Sequence, residues 1–244
     1  MQIWKAHYKD EFHDTDIEIF NDGKEISFTL DGFRFSSSTS ISEFEYINKE
    51  KSSEVENRFN IIKMNDSEYD TYYALQRYAL DIEIPVKVIR KTDTAEITGV
   101  IDISFQLIEP DTNESQGIII YDGYDYTIVK NFSLCVDGKH YSSEKSTLDF
   151  ETALSDICRK IKSDYYIKSC FTCQYSEYSP YGNCEFGTMM CYRECKKNCL
   201  KINSKADYFK YLGDEEFTHR QEIFLCSEYD LRDKYEGYRG FVDI

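Results

Sequence analysis

The segment EITGVIDISFQLI, residues 96–108, alternates without a break: Ile97, Gly99, Ile101, Ile103, Phe105 and Leu107 fall on one side, and Thr98, Asp102, Ser104 and Gln106 on the other. Side chains of a strand alternate between faces, so a run this long specifies a strand with one face packed and one face wet. The preceding IPVKVIR and the turn KTDT make it the second arm of a hairpin. Upstream, Ile17 and Ile19, the NDG at 21–23, Ile26, Phe28 and Leu30, Asp31-Gly32, then Phe33 and Phe35 read as consecutive hairpins. Downstream, Ile128, Phe132, Leu134 and Val136 are expected to share a side of another strand. The polar stretch STSISEFEYINKEKSSEVEN, beginning at Ser38, is expected to be a long loop interrupting the sheet.

Near residue 145 the period changes. In STLDFETALSDICRKIKS, Phe150, Leu154, Ile157 and Ile161 recur at helical spacing behind the cap-like Ser146-x-x-Asp149. A shorter helix is expected in SKADYFKYLG, started by Ser204 and stopped by Gly213. The expected fold class is α+β: a mainly antiparallel sheet over 1–145, then one clear helix and a Cys-rich module over 146–244, the two regions being separate or one continuous domain.

Charge narrows the partners. With 29 Lys and Arg against 45 Asp and Glu, the formal charge of −16 repels nucleic acid and anionic lipid and favours a basic protein. No apolar run reaches the roughly 18 residues of a membrane span, and the start MQIWKAHYKDEF lacks the apolar core of a secretory signal, so a cytoplasmic address is expected. The G-x-S-x-G elbow, the phosphate-binding G-x-x-x-x-G-K-[ST], H-E-x-x-H and the deaminase P-C-x-x-C are all missing, which leans the reading away from an enzyme. The four histidines, His7, His13, His140 and His219, read as surface residues, and only His219 is near a candidate metal ligand, Cys226.

Six of the nine cysteines lie in CFTCQYSEYSPYGNCEFGTMMCYRECKKNC, residues 170–199. In a reducing compartment an odd number of cysteines reads as free thiols or metal ligands. Cys170-x-x-Cys173 is the knuckle spacing that brings two thiolates to one tetrahedral ion. The second pair is open by spacing, with Cys184, Cys191, Cys195, Cys199 and Cys226 as candidates. From Arg159 to Lys205 nine Lys and Arg face four Asp and Glu, and Arg193, Lys196 and Lys197 could offset the formal −2 of a four-thiolate zinc. The abundant tyrosines around this segment read as the core of a small module, since their rings bury area while their hydroxyls remain bonded.

The string CFTCQYSEYSPYGNCEFGTMMCYR, with SKADYF, QEIFLCSEY and GYRG after it, resembles an uncharacterised bacterial family, a domain of unknown function, over residues 165–240. Its pattern runs C-x-x-C, P-x-G, F-G, C-[FY]-R and a lone cysteine. The resemblance implies one ligand set, Cys170, Cys173, Cys191 and Cys226, holding a structural zinc, and leaves Cys184, Cys195 and Cys199 as extras. It implies no activity. The resulting expectation is an acidic binding protein with a structural zinc site, of the immunity type that neutralises a basic toxin. The competing expectation is an enzyme built from cysteines and carboxylates such as Asp70, Asp81, Glu83 and Asp102.

Overall fold

Short turns with fixed chemistry set the first strands. Asp10 accepts the backbone N–H groups of Phe12 and His13 at 2.8 and 2.6 Å, folding β1 (Gln2–Lys9) back onto β2 (Asp14–Asn21). Asn21 accepts from Gly23, whose φ of 91° admits the turn into β3 (Ile26–Leu30). Asp31 and Gly32, at φ 52° and 83°, form the left-handed two-residue loop into β4 (Phe33–Ser37) that the sequence signals. The computed structural model describes residues 1–46, 48, 52–66, 70–109, 126–182 and 185–232.

The chain divides into two compact units, each discontinuous in sequence: 1–83 with 102–131, and 84–101 with 132–244. The first unit continues through β5 (Glu45–Tyr46), α1 (Ser52–Glu56), β6 (Ile61–Asp66) and β7 (Asp70–Leu75). It also takes one stretch each of β8 (Ala79–Arg90), β9 (Glu96–Ile108) and β10 (Tyr126–Val136). Its strand order is β10-β9-β8-β1-β2-β3-β4-β5-β7-β6, with the registered pairs antiparallel as expected. The stretch from Ser38 is not all loop: β5 and α1 lie within it, because Phe44, Tyr46 and Val55 bury their side chains. Residues 47 and 49–51 of it fall outside the described residues.

One sheet face of this unit carries an aromatic core. Tyr8 stacks on Tyr78 at 5.5 Å, Phe28 meets Phe35 and Phe44 at 5.3 and 5.0 Å, and Phe35 meets Phe59 at 4.8 Å. The Tyr78 hydroxyl is satisfied by donating to the Ser42 carbonyl at 2.6 Å. His13 departs from the surface expectation: its ring stacks on Phe59 at 4.7 Å and bonds Asp10, leaving its side chain 11% exposed.

The second unit holds the remaining stretches of β8, β9 and β10. It adds β11 (Lys139–Ser142), turned over Asp137 and Gly138, then α2 (Phe150–Ile161) and β12 (Tyr165–Ile167), which pairs with β8. Phe150, Leu154, Ile157 and Ile161 are buried as their spacing requires. The cap is Asp149, not Ser146: its carboxylate accepts the Thr152 N–H at 2.8 Å. Phe132, Leu134 and Val136 are buried on β10, whereas Ile128 is 40% exposed.

The cysteine module follows: a 3₁₀ turn over Cys170–Thr172, β13 (Ser176–Glu177), β14 (Met189–Cys191), α3 (Lys196–Cys199), α4 (Lys205–Tyr211) and β15 (Thr218–Arg220). Strands β13, β14 and β15 form a small antiparallel sheet. Ser204 caps α4 by accepting the Asp207 N–H at 3.1 Å, and Gly213 ends it, since a Cβ there would stand 2.6 Å from the Phe209 carbonyl oxygen. Met190, Tyr192, Ile202, Tyr208 and Leu212 make the module's core, with the Tyr192 and Tyr208 hydroxyls bonded to each other at 2.5 Å. Tyrosines therefore serve this module as core residues.

Candidate functional site

On the first unit the face of β1 that points away from Trp4, Ala6 and Tyr8 presents Lys5 and His7. Register fixes their neighbours. Lys5 lies opposite Glu18 on one side and Glu83 on the other; His7 lies opposite Asp16 and Asp81. Asp102 and Ser104 of β9 continue these rows, and the Ser104 hydroxyl donates to Asp81. Together with Asn131, which donates to the Asp102 carbonyl at 3.2 Å, they line an open groove of about 610 Å³. Five carboxylates, Asp16, Glu18, Asp81, Glu83 and Asp102, thus share a groove with Lys5 and His7.

His7 is held between two acids, with Nδ1 2.8 Å from Asp16 and Nε2 2.9 Å from Asp14. Those bonds, Asp16 foremost, raise its pKa above the ordinary histidine value. Asp14 is held below the usual carboxylate range by Lys9 and then by His7. Ile3 and Phe20 face each other across β1 and β2 on the same outward face, 50% and 37% exposed, and give the acidic rows an apolar flank.

The sequence singles out Asp81, Glu83 and Asp102 without joining them, and the sheet joins them; Asp70 lies on β7. Lys5, His7, Asp16 and Glu18 were missed as partners of that set. Their outward alternation was visible, but strand pairing between β1 and β8, whose partners lie 70 or more residues apart, has no local signal.

The four predicted cysteines all lie in the second unit. Cys170 and Cys173 are buried, and Cys191 and Cys226 are half-buried. Burial pushes the Cys170 thiol well up, followed by its neighbours Cys173, Cys191 and Cys226 and the Glu222 carboxylate. Burial also raises Cys173, opposed by the nearby backbone N–H groups of Asp230 and Tyr175. Of the remaining candidates, Cys199 donates to the Gln174 carbonyl at 3.4 Å and packs in the module core, and Cys195 donates to the Tyr192 carbonyl at 3.6 Å. His219 is exposed on β15, and Cys184 lies outside the described residues. Among the described residues no group of three or more His, Cys, Asp or Glu side chains stands ready-formed to hold a metal ion.

A family model of unknown function matches residues 2–176, more than two thirds of the chain. The chain belongs to that family, DUF6304. The DUF6304 match contains every residue lining the acidic groove and reaches only Cys170 and Cys173 of the four cysteines. It covers the sheet region and only the first part of the string at 165–240, and shows neither the cysteine pattern nor a bacterial source. No curated protein and no solved structure matches the chain. Among the described residues no helix is long and apolar enough to cross a membrane.

Proposed function

We propose that this DUF6304 chain is an acidic binding protein whose groove takes a cationic segment of a basic partner protein. The observation that carries the reading is the composition of the groove: five carboxylates against one lysine and one histidine, on an accessible sheet face inside the family-matched region. Lys and Arg of a partner would find carboxylates in two rows, and an apolar partner side chain would find Ile3 and Phe20 beside them. The −16 net charge steers such a partner toward the protein from a distance. Neutralisation of a basic toxin, in the manner of an immunity protein, is the form of this function that the charge and the missing catalytic motifs favour.

A fluorescent hexa-arginine peptide tests the site. Its association rate with the full chain should fall steeply with salt, since charges more than about 10 Å apart are screened at 0.1 M, while its dissociation rate changes less. Glu18→Gln with Glu83→Gln should weaken binding several-fold. The equal charge change Asp214→Asn with Glu216→Gln, at exposed positions of the second unit, should not. Equal effects of the two pairs would leave only the net charge and remove the groove from the argument.

A further inference from the structure

Backbone hydrogen bonds tie together the three segments of the second unit that carry Cys170, Cys173, Cys191 and Cys226. The turn at Cys170–Thr172 is laced to the segment 222–232: the Cys170 N–H donates to the Phe224 carbonyl at 2.7 Å, Phe171 to Glu222 at 2.9 Å, Gln174 to Asp230 at 3.0 Å, and Arg232 back to Thr172 at 2.9 Å. Cys226 sits within that segment, in a turn closed by the Tyr229 N–H on its carbonyl at 3.3 Å. On the other side Cys191 stands in register with Ser176, whose hydroxyl donates to the carbonyls of both Cys170 and Cys173. The knuckle, β14 and the 222–232 segment therefore each deliver cysteine to one neighbourhood.

The charge near the outer pair also suits a four-thiolate site. Cations also stand beside the outer pair. Arg193 follows Cys191 by two residues and bonds Glu194 at 3.1 Å, and Lys196 bonds Glu228, two residues past Cys226, at 2.8 Å. Cys195 and Cys199, whose thiols bond backbone carbonyls, have other uses.

We propose that Cys170, Cys173, Cys191 and Cys226 together bind one zinc ion, which clamps the knuckle, β14 and the 222–232 segment. Four protein ligands close the tetrahedron and leave no position for a substrate, so the ion is structural. Binding displaces the thiol protons and draws the four side chains onto the ion, since they do not stand grouped without it. The clamp supplies folding free energy to a module whose strands β13, β14 and β15 are only two or three residues long.

The full chain, expressed with zinc and purified under reducing conditions without added chelator, should carry about one zinc per chain, and cobalt exchanged into it should give the visible absorption of a four-thiolate tetrahedral site. Cys226→Ser should lose most of the metal, and Cys199→Ser should retain it. Because Cys226→Ser could fail to fold, alkylation of the wild-type protein with and without chelator is read by mass spectrometry. Cys170, Cys173, Cys191 and Cys226 should be protected together and released together. Metal-free folded protein, a disulfide among the four, or protection of Cys184 in place of Cys191 would each overturn the assignment.

Discussion

Replacing Lys5 by Met separates the structural from the functional work of the groove, because the two readouts move in opposite directions. Lys5 lies between Glu18 and Glu83 in register, so the substitution removes two cross-strand opposite-charge pairs, worth about 0.2–1 kcal/mol each. The fold should lose on the order of 1 kcal/mol. Trp4, the sole tryptophan and fully buried, reports this directly, since its emission shifts to the red as urea unfolds the first unit. Binding should respond the other way. A positive charge removed about 6 Å from an incoming guanidinium relieves roughly 0.7 kcal/mol of repulsion, about a threefold gain in affinity for hexa-arginine at low salt. A destabilised Lys5→Met protein that binds the peptide no better than the parent would refute the placement of the partner in this groove.

His7 makes binding depend on pH. Its raised pKa means that its stabilising bonds to Asp14 and Asp16 are fully present below the ordinary value near 6.5 and are lost as pH rises through the higher folded value. The groove loses a positive charge over the same window, so hexa-arginine should bind more tightly there; His7→Asn should abolish that step, as followed by titration of the imidazole and of peptide affinity. Gly99 on β9 faces Leu134 and Val88 side-chain carbons at 3.0 Å and the Cys135 carbonyl at 3.2 Å from where a Cβ would stand. Gly99→Ala should therefore destabilise by about 1–3 kcal/mol through overpacking, measured by denaturation, and a neutral or stabilising result would show that Leu134 and Val88 yield freely.

The sequence alone determined the elements whose signals are local. Alternation over 96–108 placed Ile101, Ile103, Phe105 and Leu107 in the core, Asp31-Gly32 made a hairpin turn, and helical spacing from Phe150 to Ile161 made α2. It chose the wrong cap, because Ser146 and Asp149 are both able acceptors and only the path of the chain into α2 decides which meets Thr152. It also took Ser38 onward as loop, since burial of Phe44, Tyr46 and Val55 depends on side chains distant in sequence. That Cys170 and Cys173 share one tight turn was legible from their spacing. Tertiary structure decided everything set by register between remote segments: that β1 enters between β2 and β8, so that Lys5 and His7 each stand between two acids, and that the 222–232 segment returns to the knuckle with Cys226. Periodicity fixes which face a side chain takes, but the neighbour across the ladder is chosen by which strands pair, and that choice is made by the packing of the whole sheet.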